Sequence, residues 1–199
     1  MVRCLLQRRA ARRDAGEGDF AAIVTPARNL RLARVDRIGV PTSPIAFLLT
    51  FRTYGTWLHG DPRGSFQRRP GQAWPAALSP QPLLEGAMRR LLAHPPVRLD
   101  AAQRRLVTEA IDDACRRNGW VVHALAVRTE HVHIVLTTKA GTAPERVMTA
   151  LKARATRRMV ERGALGQAVT CWSRHGSTRY VWTRGELEIA CRYVNEHEG

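Results

Sequence analysis

Residues 120–139 read WVVHALAVRTEHVHIVLTTK, and the period of this stretch decides the fold. Residues 120–128 and 131–139 are rich in β-branched and apolar side chains, with only Thr129-Glu130 between them. Two such runs at that spacing close an antiparallel hairpin. Along the second run, successive side chains point to opposite faces. His131 and His133 therefore stand side by side on one face, while Val132, Ile134 and Leu136 take the other. A hairpin in the middle of the chain excludes a doubly wound parallel sheet, which alternates strands with helices.

Upstream of the hairpin, Asp100 is placed to cap a helix over 101–117, in which Leu106, Val107, Ala110, Ile111 and Ala114 recur at helical spacing. Asn118-Gly119 stops it. Downstream, 143–162 has Met148, Leu151, Ala155 and Met159 on one stripe and Lys152, Arg154, Arg157, Arg158 and Arg162 largely elsewhere. That is a helix with a basic outer face. Residues 169–182 read as a strand, and Thr183-Arg184-Gly185-Glu186 fits a capping box that opens a last helix. Before all of these, IAFLLTFRTYGTWL (45–58) reads as a buried first strand. It leads into a Gly- and Pro-rich loop over 59–82 and a short helix over 83–93. The order β, α, β, β, α, β, α predicts an α+β domain with a ferredoxin-like antiparallel sheet and helices packed on it. The predicted domain spans 45–199, preceded by a poorly ordered basic leader over 1–44.

The formal net charge is +15 over 199 residues, and all the cations except Lys139 and Lys152 are arginines. A chain this basic is held near polyanions by attraction and counterion release, so nucleic acid is the default partner. Cys4, Cys115, Cys171 and Cys191 lack the paired spacing of a zinc knuckle or a disulfide framework. No apolar run approaches the roughly 18 residues of a membrane helix. A cytoplasmic protein is expected.

Two neutral imidazoles on one strand face make a ready half of a divalent-metal site, although a His-x-His pair on a strand is more often structural or on the surface. In the last helix, Leu187, Ala190, Cys191 and Val194 form the core stripe. Tyr193 and His197, four apart, share a face beside it. The plain alternative is a tyrosine at the core edge with its hydroxyl in water. Tyr54 and Tyr180 suit packing or base stacking better. His123 is expected to pack within its strand, and His59 has no assigned role. Arg174, His175, Ser177 and Arg179 gather donors around Gly176, where a phosphate backbone could come close. Arg154, Arg157 and Arg158 offer a second DNA track or a solvated face.

Five segments carry a resemblance: FLLTFRTYGTWLHGDPRGS (47–65), WVVHALAVRTEHVHIVL (120–136), PERVMTALKARATRRM (144–159), SRHGSTRYVW (173–182) and RYVNEHEG (192–199). In this order they resemble the HUH single-tyrosine transposases of the IS200/IS605 type, and more closely the REP-associated tyrosine transposase branch. The resemblance implies that His131 and His133 bind Mg²⁺ or Mn²⁺ and that Tyr193 is the nucleophile. It also implies a third metal ligand one turn beyond the tyrosine, a position held here by His197, with Glu196 as a rival oxygen donor. The implied activity is a metal-dependent tyrosine endonuclease and strand transferase. It would act on single-stranded, hairpin or palindromic DNA through a 5′-phosphotyrosine, as a monomer or homodimer at the nucleoid. A domesticated relative that grips hairpins without cutting is the alternative. A metal hydrolase of another kind would need a carboxylate beside the pair, and only Glu130 is adjacent.

Overall fold

In the computed structural model, residues 43–67 and 76–196 are described. The predicted leader falls almost wholly outside them, and so does His197. Ten elements follow in order: β1 Ala46–Thr53, β2 Ser65–Gln67, β3 Ala76–Leu78, α1 Pro82–Arg90, α2 Ala101–Asn118, β4 Val121–Val127, β5 His131–Thr137, α3 Pro144–Glu161, β6 Trp172–Val181 and α4 Arg184–Glu196. The four long strands form one sheet in the order β4-β5-β1-β6, with antiparallel neighbours throughout. The α+β, ferredoxin-like expectation is met.

Local chemistry sets the element ends. The Asp100 carboxylate accepts the Gln103 N–H, and the Gln103 side chain takes the Asp100 N–H in return, starting α2. Gly119 ends it at φ 67°, in the left-handed region that glycine enters at least cost. At the start of α4, Thr183 Oγ1 accepts the Glu186 N–H, while the Glu186 carboxylate accepts the Trp182 N–H. The β4-β5 hairpin closes with the Arg128 N–H donating to the His131 carbonyl at 2.8 Å.

The sheet has two different faces. Phe47, Leu49, Phe51, Val132, Ile134 and Leu136 point to α2 and α3 and share their core with Val107, Ile111, Leu151 and Met159. Burying side chains of this size contributes roughly 1.5–3 kcal/mol each. A one-residue register slip would drive His131 and His133 into that core, so the apolar alternation fixes which way the histidines face. On the other face Ala46, Leu48, Ala124, Ala126 and Val135 meet Leu187, Ala190 and Val194 of α4.

Two sequence expectations need correction. The first strand does not run to Leu58; it stops at Thr53, and Gly55 at φ 74° turns the chain away. The Gly- and Pro-rich segment after it is not wholly loop, because β2 and β3 pair in a small antiparallel ribbon.

Candidate active site

On the α4 face, β1 and β5 bring their side chains together in pairs: Thr50 lies opposite His133 and Arg52 opposite His131. The two imidazole rings meet edge to face, with centroids 4.6 Å apart. Both histidines are buried. His133 Nδ1 lies 2.7 Å from Thr50 Oγ1. The neighbouring strand thereby holds the orientation of the His133 ring, and where Nδ1–H donates to that hydroxyl, Nε2 keeps its lone pair.

Tyr193 completes the group from a separate element. Leu187, Ala190 and Val194 anchor α4 to the sheet, and Tyr193, one helical position off that stripe, reaches the histidines. Its ring stands edge-on to His133 at 5.4 Å between centroids, yet 42% of the residue stays exposed. A groove of about 330 Å³ runs along it, lined by Leu48, Thr50, Ser177, Arg179, Ile189 and Tyr193.

Two buried imidazoles, one oriented by a hydroxyl, fit half of a divalent-metal site. Among the described residues no group of three His, Cys, Asp or Glu side chains is placed to hold a metal ion. Glu196, the rival oxygen donor, lies exposed near the end of α4. The expected third ligand, His197, lies outside the described residues.

Beyond the histidines a charged shelf flanks the site. The Arg52 guanidinium lies 3.6 Å from the centre of the Trp57 ring, and Arg63 lies 4.4 Å from it. The indole N–H donates to the Gly64 carbonyl at 2.8 Å. Arg63 pairs with Asp61 at 2.7 Å and with Glu130 at 3.2 Å, while Arg98 takes the other Glu130 oxygen at 2.8 Å. The Arg63 pairing holds the Asp61 carboxyl below its ordinary range. Glu130, with both oxygens in ion pairs, is poorly placed to activate a water for a hydrolase.

The sequence alone did not point to Thr50, Arg52, Trp57 or Arg63. The signal was present for the first two. Leu48, Thr50 and Arg52 alternate on one face of β1, and a polar or charged side chain in a central strand needs a reason. Trp57 and Arg63 lie in a loop, where no period announces a contact.

The other candidates divide by location. Ser177 and Arg179 line the Tyr193 groove. Arg174 and His175 instead border a hollow of about 540 Å³ against α3, where Lys152 Nζ donates to the Ser173 and His175 carbonyls. A Cβ on Gly176 would come within 2.5 Å of both Met148 Sδ and the Thr50 carbonyl oxygen, so the close approach this glycine permits is to the protein itself. Arg154 pairs with Asp113 at 2.7 Å and Arg158 with Glu109 at 3.9 Å, tying α3 to α2 on the face away from the histidines. Arg157, on the same helix, is exposed.

Neither rival tyrosine is close to the pair. Tyr54 Oη accepts the Ala93 N–H at 2.9 Å, and the Tyr180 ring stacks on Trp182 and meets Phe47 edge-on. His123 packs within its strand as expected, its Nε2 2.9 Å from Thr137 Oγ1.

The sequence model of the family described as "Transposase IS200 like" matches residues 97–197. One similar solved structure is a REP-associated tyrosine transposase bound to a REP hairpin, at 14% identity and TM-score 0.43, covering 75% of this chain. The chain spans 63% of that relative's length. Another is a candidate transposase from Deinococcus radiodurans, at 15% identity and TM-score 0.44, covering 79% of this chain and 95% of that one. No curated protein matches the chain.

Proposed function

Since the chain belongs to the IS200-like transposase family, we propose that it cleaves and rejoins single-stranded, hairpin-bearing DNA, with Tyr193 as the nucleophile and a 5′-phosphotyrosine as the intermediate. The observation that carries this reading is the convergence of Tyr193, His133 and His131 on one face of the sheet from α4 and β5. The net charge of +15 supports a polyanionic substrate.

Tyr193 is the tyrosine that suits attack. Its ring stands against the His133 imidazole, and 42% of the residue is exposed on the groove side where a strand would arrive. Tyr193 Oη attacks phosphorus and the P–O3′ bond breaks. The phenol proton passes to solvent, and the departing O3′ takes a proton to become a free hydroxyl. The phosphodiester is conserved as a link between tyrosine and the 5′ end, so a 3′-hydroxyl can reverse the step without ATP. His131 and His133 are the residues that would hold Mg²⁺ or Mn²⁺, with His197 as the proposed further ligand. When bound, such an ion supplies Lewis-acid polarisation of a phosphate oxygen. Thr50 keeps the His133 ring turned for that task. Ser177 and Arg179, along the groove, hold the strand by its backbone.

The test is a labelled pool of hairpin-bearing single strands with randomised flanks, incubated with the protein and Mn²⁺. A covalent protein-DNA band that Tyr193→Phe lacks is expected. Binding without such a band in either protein would leave a hairpin-binding protein that no longer cuts.

A further inference from the structure

We propose that Arg52 is the protein's own cation for the phosphate under attack, binding its non-bridging oxygens beside Tyr193. This deepens the reading of Tyr193 as nucleophile and rests on it.

Position comes first. Arg52 is the cross-strand partner of His131, next along β1 from the Thr50-His133 pair. On its other side the β1-β6 register shifts between Phe51 and Thr53, so Arg52 sits at a bulge and has no direct partner in β6. Bulges re-aim side chains, and they occur often beside active sites. The Arg52 partner His131 meets His133 ring to ring, and His133 in turn meets Tyr193.

Support comes second. A flexible arginine costs entropy to immobilise, but here the guanidinium already rests on the Trp57 ring, and the indole is itself anchored to Gly64. Stacking on the ring leaves the N–H edge of the guanidinium for an anion. A planar fork of that kind matches two phosphate oxygens.

Charge comes third. Arg63 and Arg98 take up the two nearby carboxylates, Asp61 and Glu130. Both carboxylates are in ion pairs with Arg63 or Arg98, and among the described residues none lies within 4.0 Å of Arg52. A half-buried cation with no close counter-ion gains most when an anion arrives. The anion that the Tyr193 groove is proposed to receive is a phosphodiester.

Arg52→Gln, which keeps much of the side chain's bulk, tests this in two measurements. In the first, Tyr193→Phe and the Tyr193→Phe/Arg52→Gln double variant are titrated with the randomised hairpin pool over a range of salt. One lost phosphate contact lowers the slope of log K against log salt by about 0.7 on a single strand. In the second, the single-turnover rate of covalent adduct formation should fall about 100-fold in Arg52→Gln. An unchanged salt slope overturns the proposal, whatever happens to cleavage. A reduced slope in a protein that forms no adduct leaves the phosphate contact standing and defeats the nucleophile reading instead. Should Arg52→Gln fail to fold, Arg52→Lys keeps the charge but not the fork. It should retain the slope and lose about tenfold in adduct rate, and a native rate in Arg52→Lys would overturn the proposal.

Discussion

The Thr50 hydroxyl lies 2.7 Å from His133 Nδ1, across the β1-β5 register. The imidazole that stands edge-on to Tyr193 is thus oriented by a strand distant in sequence, and the hydroxyl acts through the ring it holds. Outer partners of metal-binding histidines typically change affinity 10- to 100-fold when removed. Thr50→Val should weaken Mn²⁺ binding by that range in calorimetric titration, and Thr50→Ser should restore it. Equal affinity in Thr50→Val and the native protein would mean that the ring needs no such support.

Gly176 is required by packing. A methyl group at this position meets Met148 Sδ and the Thr50 carbonyl at 2.5 Å each, and the carbonyl belongs to a central strand that cannot yield cheaply. Gly176→Ala should cost about 1–3 kcal/mol in urea unfolding. Because the displaced backbone carries Thr50, Mn²⁺ affinity should fall with it. Native stability in the variant would show that β6 can move away freely.

The basic side chains of α3 and β6 should behave differently. Arg154 is in an ion pair with Asp113 that bridges α3 and α2, whereas Arg179 lines the groove beside Tyr193. Arg179→Gln should lower the salt slope of hairpin binding. Arg154→Gln should leave the slope alone and cost up to about 1 kcal/mol of stability. The reverse pattern would put the DNA on the opposite face of the sheet.

Asp61 provides a pH-dependent signature. Its carboxyl is held below the ordinary value of 3.8, chiefly by the hydrogen bonds from Arg63. A lowered carboxylate contributes stability that is present above that value and is lost as pH falls through the lowered one. Asp61→Asn should therefore be less stable than the native protein near neutrality, by about 1–2 kcal/mol after screening of the half-exposed Arg63. The gap should narrow as pH falls below 3.8. A gap that does not change with pH would remove the Asp61-Arg63 pair from the account.

Much of this was legible in the sequence, for physical reasons that differ by residue. Strand alternation put His131 and His133 on one face because Val132, Ile134 and Leu136 had to be buried on the other. Helical period put Tyr193 beside the Leu187-Ala190-Val194 stripe. Neither period says which elements meet, so the approach of α4 to β5 was carried by the family resemblance until the structure showed it. The α3 arginines were ambiguous because a basic helix face looks the same whether it meets DNA or acidic side chains such as Asp113 and Glu109. Arg52 and Trp57 were missed because their contact depends on the turn at Gly55, which brings the loop back over the strand.

The central claim is that Tyr193 becomes covalently joined to a DNA 5′ phosphate. The most direct measurement is mass spectrometry of the protease-digested protein after incubation with the hairpin pool, Mn²⁺ and nuclease trimming. The account predicts a nucleotide adduct on the peptide containing Tyr193, absent from Tyr193→Phe, with a free 3′-hydroxyl on the released strand. An adduct on Tyr54 or Tyr180, or cleavage that leaves no adduct and persists in Tyr193→Phe, would contradict it.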